Sequence, residues 1–123
     1  MPSLKYNDEV ITESLIVAQF LIDAHPSHLL KTSSEPGGAL QRARINFFVD
    51  TFFSKVVPHT WKALSATAEE KEATTQAVVD AVVKELEPLL TDAKPFFGGS
   101  ERLTLAEVLS TTSVLRIRLR ITC

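Results

Sequence analysis

The chain has 123 residues, 45% of them hydrophobic and 23% charged, and a formal net charge of −2 at pH 7. That composition is ordinary for a globular protein, and the near-neutral charge gives no reason to expect nucleic acid as a partner. No apolar run is long enough to span a membrane, so we expect no membrane partner. The single cysteine, Cys123, excludes an internal disulfide framework and suits a reducing cytosol, which predicts a cytoplasmic protein.

The first fifteen residues predict a β-hairpin that leads directly into a helix. Residues 3–6 and 9–12 form two short strands around an Asn-Asp turn pair. Apolar residues recur at helical spacing from Leu15 onward, so Glu13 and Ser14 lie where the helix begins. Serine is preferred there because its hydroxyl can bond a backbone N–H. The unpaired N–H groups and the dipole of a helix start attract a small carboxylate or phosphate.

This segment resembles the second half of the glutathione-binding, thioredoxin-like domain of cytosolic glutathione transferases, and looks most like fungal and omega-like members. The residues that carry the resemblance are Pro2, Ser3, Leu4, Glu13, Ser14 and the apolar run LIVAQFL. It implies a cis proline at Pro2, with Met1 lending backbone groups to the cysteinyl part of glutathione. It also implies that Glu13 and Ser14 hold the γ-glutamyl end. Without the resemblance, Ser14 is a plain helix cap and Glu13 a solvated acid.

Residues 14–24 predict the first helix. It is apolar on nearly every face, so it should be buried on more than one side. The His-Pro dipeptide at its end stops it, because a residue before proline is pushed out of helical geometry. The Pro, Gly, Ser and Thr residues of the stretch 26–38 then predict a linker.

The linker predicts a domain boundary near Ser33. Residues 1–32 would belong to the thioredoxin-like domain and residues 33–123 to a transferase-type helical domain. His25 and His28 lie in the linker region without a third ligand, so we expect no metal site.

Residues 38–64 predict a long helix with an apolar stripe, which Pro58 must kink or divide because proline cannot donate the intrahelical bond. Its aromatic side chains favour core packing over a hydrophobic-ligand surface; they are Phe47, Phe48, Phe52, Phe53 and Trp61. In the resembling family this helix borders the electrophile pocket and the dimer interface. The resemblance therefore implies small electrophiles as partners and a homodimer through residues 38–64.

Two capping boxes introduce later helices. Residues 67–70 (TAEE) precede a helix that runs to about Leu90, with Pro88 near its end, and Thr104 and Glu107 begin another. The loop FFGG followed by LTLAEV resembles the centre of the transferase helical domain, where the family usually has Asp at the position of Glu107. The resemblance makes this second box a structural element of folding and not a catalytic one.

After Leu109 the chain leaves the family pattern. Residues 114–121 alternate apolar residues with three arginines, which is the pattern of a strand and conflicts with a core helix. One interpretation is a basic binding tail, although no aromatic residues are interleaved. The favoured interpretation is an aberrant tail from about residue 110, produced by a shifted exon or a retained intron.

The resemblance also predicts where the catalytic residue lies. In the family a Tyr, Ser or Cys in the strand-helix-strand unit before the position of Pro2 acts on the glutathione thiol, since the thiolate is the reactive species. Neither Tyr6 nor Cys123 matches that position. We therefore expect the catalytic residue upstream of Met1 and none within this chain.

The combined prediction is a mainly α fold. A partial thioredoxin-like β-hairpin plus helix would be followed by an incomplete glutathione-transferase-type helical bundle. The implied function is transfer of glutathione to electrophiles, or glutathione-dependent thiol reduction, in detoxification. Glutathione would be the substrate, and this fragment would be inactive alone. The alternative is a non-catalytic module for binding or dimerisation.

Overall fold

A computed structural model describes the backbone of residues 2–121 and the side chains of residues 2–111, 113 and 114. A two-stranded antiparallel hairpin is followed by helices, which confirms the predicted mainly α fold. The elements are β1 (Ser3–Tyr6), β2 (Glu9–Thr12), α1 (Ser14–Ala24), α2 (Gly38–Thr51), α3 (Val57–Ser65), α4 (Lys71–Ala81) and α5 (Leu105–Ile121). The described chain also contains π-helical segments at Phe52–Val56 and Val82–Leu86 and 3-10 turns at Glu87–Leu89 and Phe97–Gly99. Within these residues, no helix has the length and hydropathy needed to cross a bilayer.

The hairpin has a fixed register. Ser3 pairs with Thr12 at its open end and Tyr6 with Glu9 beside the turn. Asn7 turns the chain with a φ of 54°, a left-handed value that Asn tolerates better than most residues. The ring of Tyr6 packs edge-on against Phe20 of α1, with centroids 5.1 Å apart, and this contact joins the hairpin to the helix.

Helix α1 is less covered than its sequence predicts. None of its residues is buried, and Ile16 and Leu21 are 58% and 42% exposed. The expected burial on more than one side is wrong for this chain, because two short strands cover only part of the helix surface. Leu15 and Ile22 pack on the edge of the core and are partly buried.

Both long helical stretches change register just before a proline. The segment Phe52–Val56 precedes Pro58, and Val82–Leu86 precedes Pro88. Each segment ends in an i→i−5 backbone hydrogen bond. Val57 N–H donates to the Phe52 carbonyl in the first segment, and Glu87 N–H donates to the Val82 carbonyl in the second. Proline lacks an N–H and crowds the preceding turn, and a π-helical turn is one way to relieve that crowding. The predicted division of residues 38–64 at Pro58 is therefore present.

The core lies among α2, the segment after it and the start of α5. Its buried hydrophobic residues are Leu30, Ile45, Phe48, Val49, Phe52, Val56, Leu86, Phe97, Leu105 and Ala106. Phe48 packs on Phe97 with centroids 5.0 Å apart. The aromatic side chains of the segment 38–64 fall into two groups. Phe48 and Phe52 are core residues, whereas Phe47 and Trp61 are 61% and 63% exposed.

The predicted linker is docked on α2. Leu30 is fully buried in the core, and Lys31 N–H donates to the side-chain oxygen of Gln41 (2.9 Å). The Arg42 guanidinium donates to the Lys31 carbonyl (2.8 Å) and to the Asp23 carboxylate (3.0 Å), which ties α1 to α2. The backbone N–H and carbonyl of Lys31 are therefore both paired with side chains of α2. The boundary near Ser33 stays a prediction.

Helix α5 continues to Ile121, so the predicted strand over residues 114–121 is wrong. A strand requires a partner for its backbone groups, and β1 and β2 pair only with each other in the described chain. Leu and Arg are good helix formers, and no Gly or Pro interrupts the run after Leu105. Local propensity thus extends a helix that its N-terminal residues have already started.

The docked linker generates a test at Gly38. Helix propensity alone favours alanine there by up to about 1 kcal/mol. A Cβ at Gly38 would, however, overlap the carbonyl oxygen of Thr32. We therefore expect Gly38→Ala to lower the free energy of unfolding by about 1–3 kcal/mol, measured by urea denaturation. The control is Ala39→Gly at the exposed next position, which should show only the propensity loss. A stabilised Gly38→Ala variant would contradict this packing.

Candidate functional site

The junction between β2 and α1 has an unusual backbone. Glu13 is the N-cap of α1 with φ 71° and ψ 125°, and its carbonyl accepts the first helical bond from Val17 N–H (2.9 Å). A non-glycine residue with positive φ is uncommon, and this ψ also lies outside the left-handed helical region. Such conformations carry strain of about 1–3 kcal/mol and cluster at functional sites. The strain makes Glu13 a candidate site residue.

Ser14 is the first residue of α1, and its side chain is exposed beside that of Glu13. No side chain caps this helix start, and its first turn contains no acidic residue. The plain-cap interpretation of Ser14 is therefore not what the structure shows. Because the first four N–H groups of a helix lack intrahelical partners, this start can bind an anion from solvent.

Three of the four predicted glutathione-binding residues lie at one end of the hairpin. Ser3 and Thr12 are the last paired residues, so Pro2 and Glu13 lie one position beyond the ladder on adjacent strands. Pro2 is exposed. Met1, and with it the predicted cis bond to Pro2, lies outside the described residues. The structure thus groups Pro2, Glu13 and Ser14.

A cleft of about 190 Å³ starts one residue beyond Ser14. It lies between α1, α2 and α5, and its lining consists of Leu15, Gln19, Asn46, Val49, Asp50, Leu105 and Leu109. Apolar walls with a few polar groups are typical of small-molecule sites. The sequence did not indicate Asn46 and Asp50 as site residues. The only available signal was their polarity on an otherwise core-forming helix.

Metal ligands are not gathered at this junction. Among the residues that the structure describes, no group of three or more His, Cys, Asp or Glu side chains is placed to hold a metal ion. His25 and His28 are both exposed.

Comparison with known proteins finds relatives that match most of this chain. No protein-family model matches the chain. Over 99 residues, it is 33% identical to Glutathione S-transferase U25 and 31% identical to Glutathione S-transferase U22, both of Arabidopsis thaliana. Each alignment covers 80% of this chain, but only 42% and 43% of the two relatives. These matches confirm the predicted resemblance to the glutathione transferase family over 99 residues of the chain.

The fold agrees with this assignment. Glutathione transferase Omega 3C from Trametes versicolor matches with a TM-score of 0.73 at 23% identity, covering 94% of this chain and 50% of that chain. The chain therefore spans about half the length of the relatives it matches. Its predicted fungal, omega-like subclass stays a prediction, because the sequence matches are plant proteins and the likeness to the omega enzyme concerns the fold.

A second polar cluster lies where α5 begins. The Glu107 carboxylate accepts hydrogen bonds from the Thr104 N–H (2.9 Å) and the Thr104 hydroxyl (2.7 Å) through Oε2. Its other oxygen, Oε1, accepts from Phe97 N–H (2.7 Å). The buried Thr104 hydroxyl in turn accepts from Ala106 N–H (3.2 Å). This is the arrangement of a capping box, extended to the preceding loop.

The environment of Glu107 sets its ionisation. Burial raises the pKa of the carboxyl, but the hydrogen bonds from the Thr104 hydroxyl and the Phe97 and Thr104 amides outweigh it, so the pKa lies below its ordinary 4.5. A depressed folded-state pKa means that the carboxylate stabilises the fold above its ordinary pKa. This stabilisation is lost as the pH falls through the folded-state pKa.

We expect Glu107→Gln to lower the free energy of unfolding at pH 7 by about 1.5–3 kcal/mol, the usual value for hydrogen bonds to a charged group. The difference from the unmodified chain should shrink below pH 4.5, the ordinary pKa of this carboxyl, as it protonates. Urea denaturation across a pH series measures both effects. Glu101→Gln, at an exposed carboxylate of the same loop region, is the control and should change stability by less than about 0.5 kcal/mol. Equal effects of the two substitutions would contradict the role of Glu107.

Proposed function

We propose that the hairpin–helix junction of this chain binds the γ-glutamyl end of glutathione. The observation that carries the proposal is the strained Glu13 backbone, which sets a carboxylate beside an uncapped helix start. The γ-glutamyl end has an α-carboxylate and an α-ammonium on one carbon. The N–H groups of the helix start and the Ser14 hydroxyl suit the former, and the Glu13 carboxylate suits the latter.

The remaining predicted contacts extend the same site. We propose that the backbone of Met1 and Pro2 holds the cysteinyl part of glutathione. The cleft between α1, α2 and α5 would then receive a small electrophile, since its apolar wall begins at Leu15, next to Ser14. Under this proposal residues 1–32 act as part of a thioredoxin-like domain and residues 33–123 as part of the helical domain.

The proposed reaction also requires a group that activates the glutathione thiol. The thiolate is the nucleophile in transfer to electrophiles and in reduction of mixed disulfides. The Tyr6 ring packs on Phe20, and Cys123 lies outside the described residues. We propose that a group outside residues 1–123 activates the thiol in the cytosolic detoxification reaction, so that this chain alone binds glutathione without transferring it.

A second candidate function is a non-catalytic dimerisation module. It is favoured by exposed apolar side chains on α2 and α3, of which Leu40 is 65% exposed and Phe47 and Trp61 nearly as much. Exposed aromatic groups of this kind mark association surfaces. Sedimentation of the chain and of its Phe47→Ser variant, combined with a glutathione titration of the chain, distinguishes the two functions. A homodimer that depends on Phe47, in a chain that does not bind glutathione, would support the module and exclude the transferase proposal.

The glutathione proposal predicts a specific loss at Ser14. Removing a hydrogen bond to a charged group costs about 1.5–3 kcal/mol, so Ser14→Ala should weaken glutathione binding about tenfold or more. Calorimetric titration of the 123-residue chain measures this. Ser54→Ala, at an exposed serine of the segment Phe52–Val56, is the matched control and should bind normally. Equal affinities of the two variants for glutathione would refute the assignment of Ser14.

A further inference from the structure

Residues 3–24 have no buried side chain, although they form three regular elements. We call this part of the chain, which comprises β1, β2 and α1, the N-terminal segment. Helix α1 packs more closely on the two strands than on any other element. Of its apolar side chains, Leu15 and Ile22 lie against the core and are partly buried. The N-terminal segment therefore docks on the core through a small apolar contact.

The polar contact between the N-terminal segment and α2 is also one that can break. Asp23 and Arg42 form an ion pair (3.0 Å), and Asp23 is 52% exposed. Exposed ion pairs contribute little to stability, because water competes for both charges. The Arg42 guanidinium also donates to the Lys31 carbonyl (2.8 Å), so it keeps a partner on the core side when Asp23 leaves.

The attachment of the chain to the core begins abruptly at Leu29. Its carbonyl accepts a hydrogen bond from Leu105 N–H (2.9 Å), and the next residue, Leu30, is only 1% exposed. By contrast, residues 25–28 are all exposed. These four residues can act as a hinge, because their movement leaves the anchored part at Leu29 in place.

The N-terminal segment cannot keep its structure without the core. Helix α1 has 11 residues, and isolated helices shorter than about 12–15 residues are marginal in water. The two strands have four residues each, and an isolated two-stranded hairpin is equally marginal. The strained backbone of Glu13 adds a cost where hairpin and helix meet. Undocking of the segment and unfolding of the segment are therefore one event.

We propose that the N-terminal segment undocks and unfolds as one cooperative unit while the helical core stays folded. Partial openings of this kind require less free energy than global unfolding and involve contiguous parts of a chain. The junction at Glu13 and Ser14 then exists as a binding site only in the docked state, so docking controls access to it. The proposal rests on the contacts of the fold and holds whichever ligand the junction binds.

The test is native-state amide hydrogen exchange of the whole 123-residue chain, followed by NMR at low urea concentrations without ligand. The segment probes are the amides of Phe20 and Leu21 in α1, and the core probes are those of Phe48 and Val49 in α2. The segment probes should share one opening constant, about tenfold or more above that of the core probes. Their opening should also depend less on urea, because the partial opening exposes less surface.

Two results of this experiment would overturn the proposal. One is a single opening constant with a single urea dependence for both sets of probes, which would mean that segment and core unfold together. The other is exchange of the segment probes at the rate of an unfolded chain, which would mean that no docked state exists.

A core variant separates partial from global unfolding. Val56 is buried in the core (1% exposed), and Val56→Ala should raise the opening constant of the core probes about tenfold or more. The segment probes should not change, because the partly open state keeps the core packing that this variant weakens. Ile45→Val is a milder core variant, at a fully buried side chain, for use if Val56→Ala does not fold. An equal increase in both sets of probes would contradict the proposal.

A matched pair of variants within α1 tests the role of docking. Ile22 packs against the core, whereas Ile16 is 58% exposed on the same helix. Ile22→Ala should raise the opening constant of the segment probes about tenfold, and Ile16→Ala should change it by less than about twofold. Both variants alter helix propensity alike, so their difference isolates the contact with the core. Equal effects would show that α1 opens by local fraying and would overturn the proposal.

Discussion

The Glu107 carboxylate joins two parts of the helical region, since it bonds the first turn of α5 at Thr104 and the preceding loop at Phe97. A backbone bond beside it adds a third part: Leu105, the residue after Thr104, donates its N–H to the Leu29 carbonyl (2.9 Å) and joins the α1–α2 connection to the same region. Since a partly buried carboxylate without its donors is costly, these segments stay together as a unit. The packing of Phe97 on Phe48 in the core depends on this arrangement, because the Phe97 N–H is bonded to Glu107.

The hairpin and α1 are attached more lightly, although they carry the proposed glutathione site. Tyr6 on Phe20 and the Asp23–Arg42 ion pair (3.0 Å) are among their contacts, and no residue of α1 is buried. Hydrogen bonds to Asp23, from Gln19 first and then Arg42, lower the pKa of its carboxyl and keep it ionised for this pair. The strained Glu13 therefore lies in a unit that is stabilised by few buried contacts. Ligand binding at the junction would stabilise that unit, because a ligand that binds only the folded state favours it.

Local sequence signals predicted most helices and strands, but they did not predict contacts between residues that are far apart in the sequence. The apolar stripes predicted where the helices lie. Pro58 predicted the end of α2, because proline disrupts the turn that directly precedes it. The alternation after Val114 predicted a strand, since pattern alone does not reveal that the described residues offer it no partner strand. The Arg44–Asp92 pair joins residues 48 positions apart, and the sequence carries no signal for such a contact. For the same reason the docking of Leu30 was missed. The positive φ of Glu13 was equally hidden, because glutamate has no preference for it.

The central claim is that the junction at Glu13 and Ser14 recognises the γ-glutamyl end of glutathione. The most direct measurement is an amide NMR titration with γ-glutamylcysteine and with cysteinylglycine, the two dipeptide portions of glutathione that share its cysteine. γ-Glutamylcysteine should shift the Ser14 and Leu15 amides saturably, and cysteinylglycine should leave them unchanged. Equal shifts with both dipeptides, or shifts at these amides with cysteinylglycine alone, would contradict it.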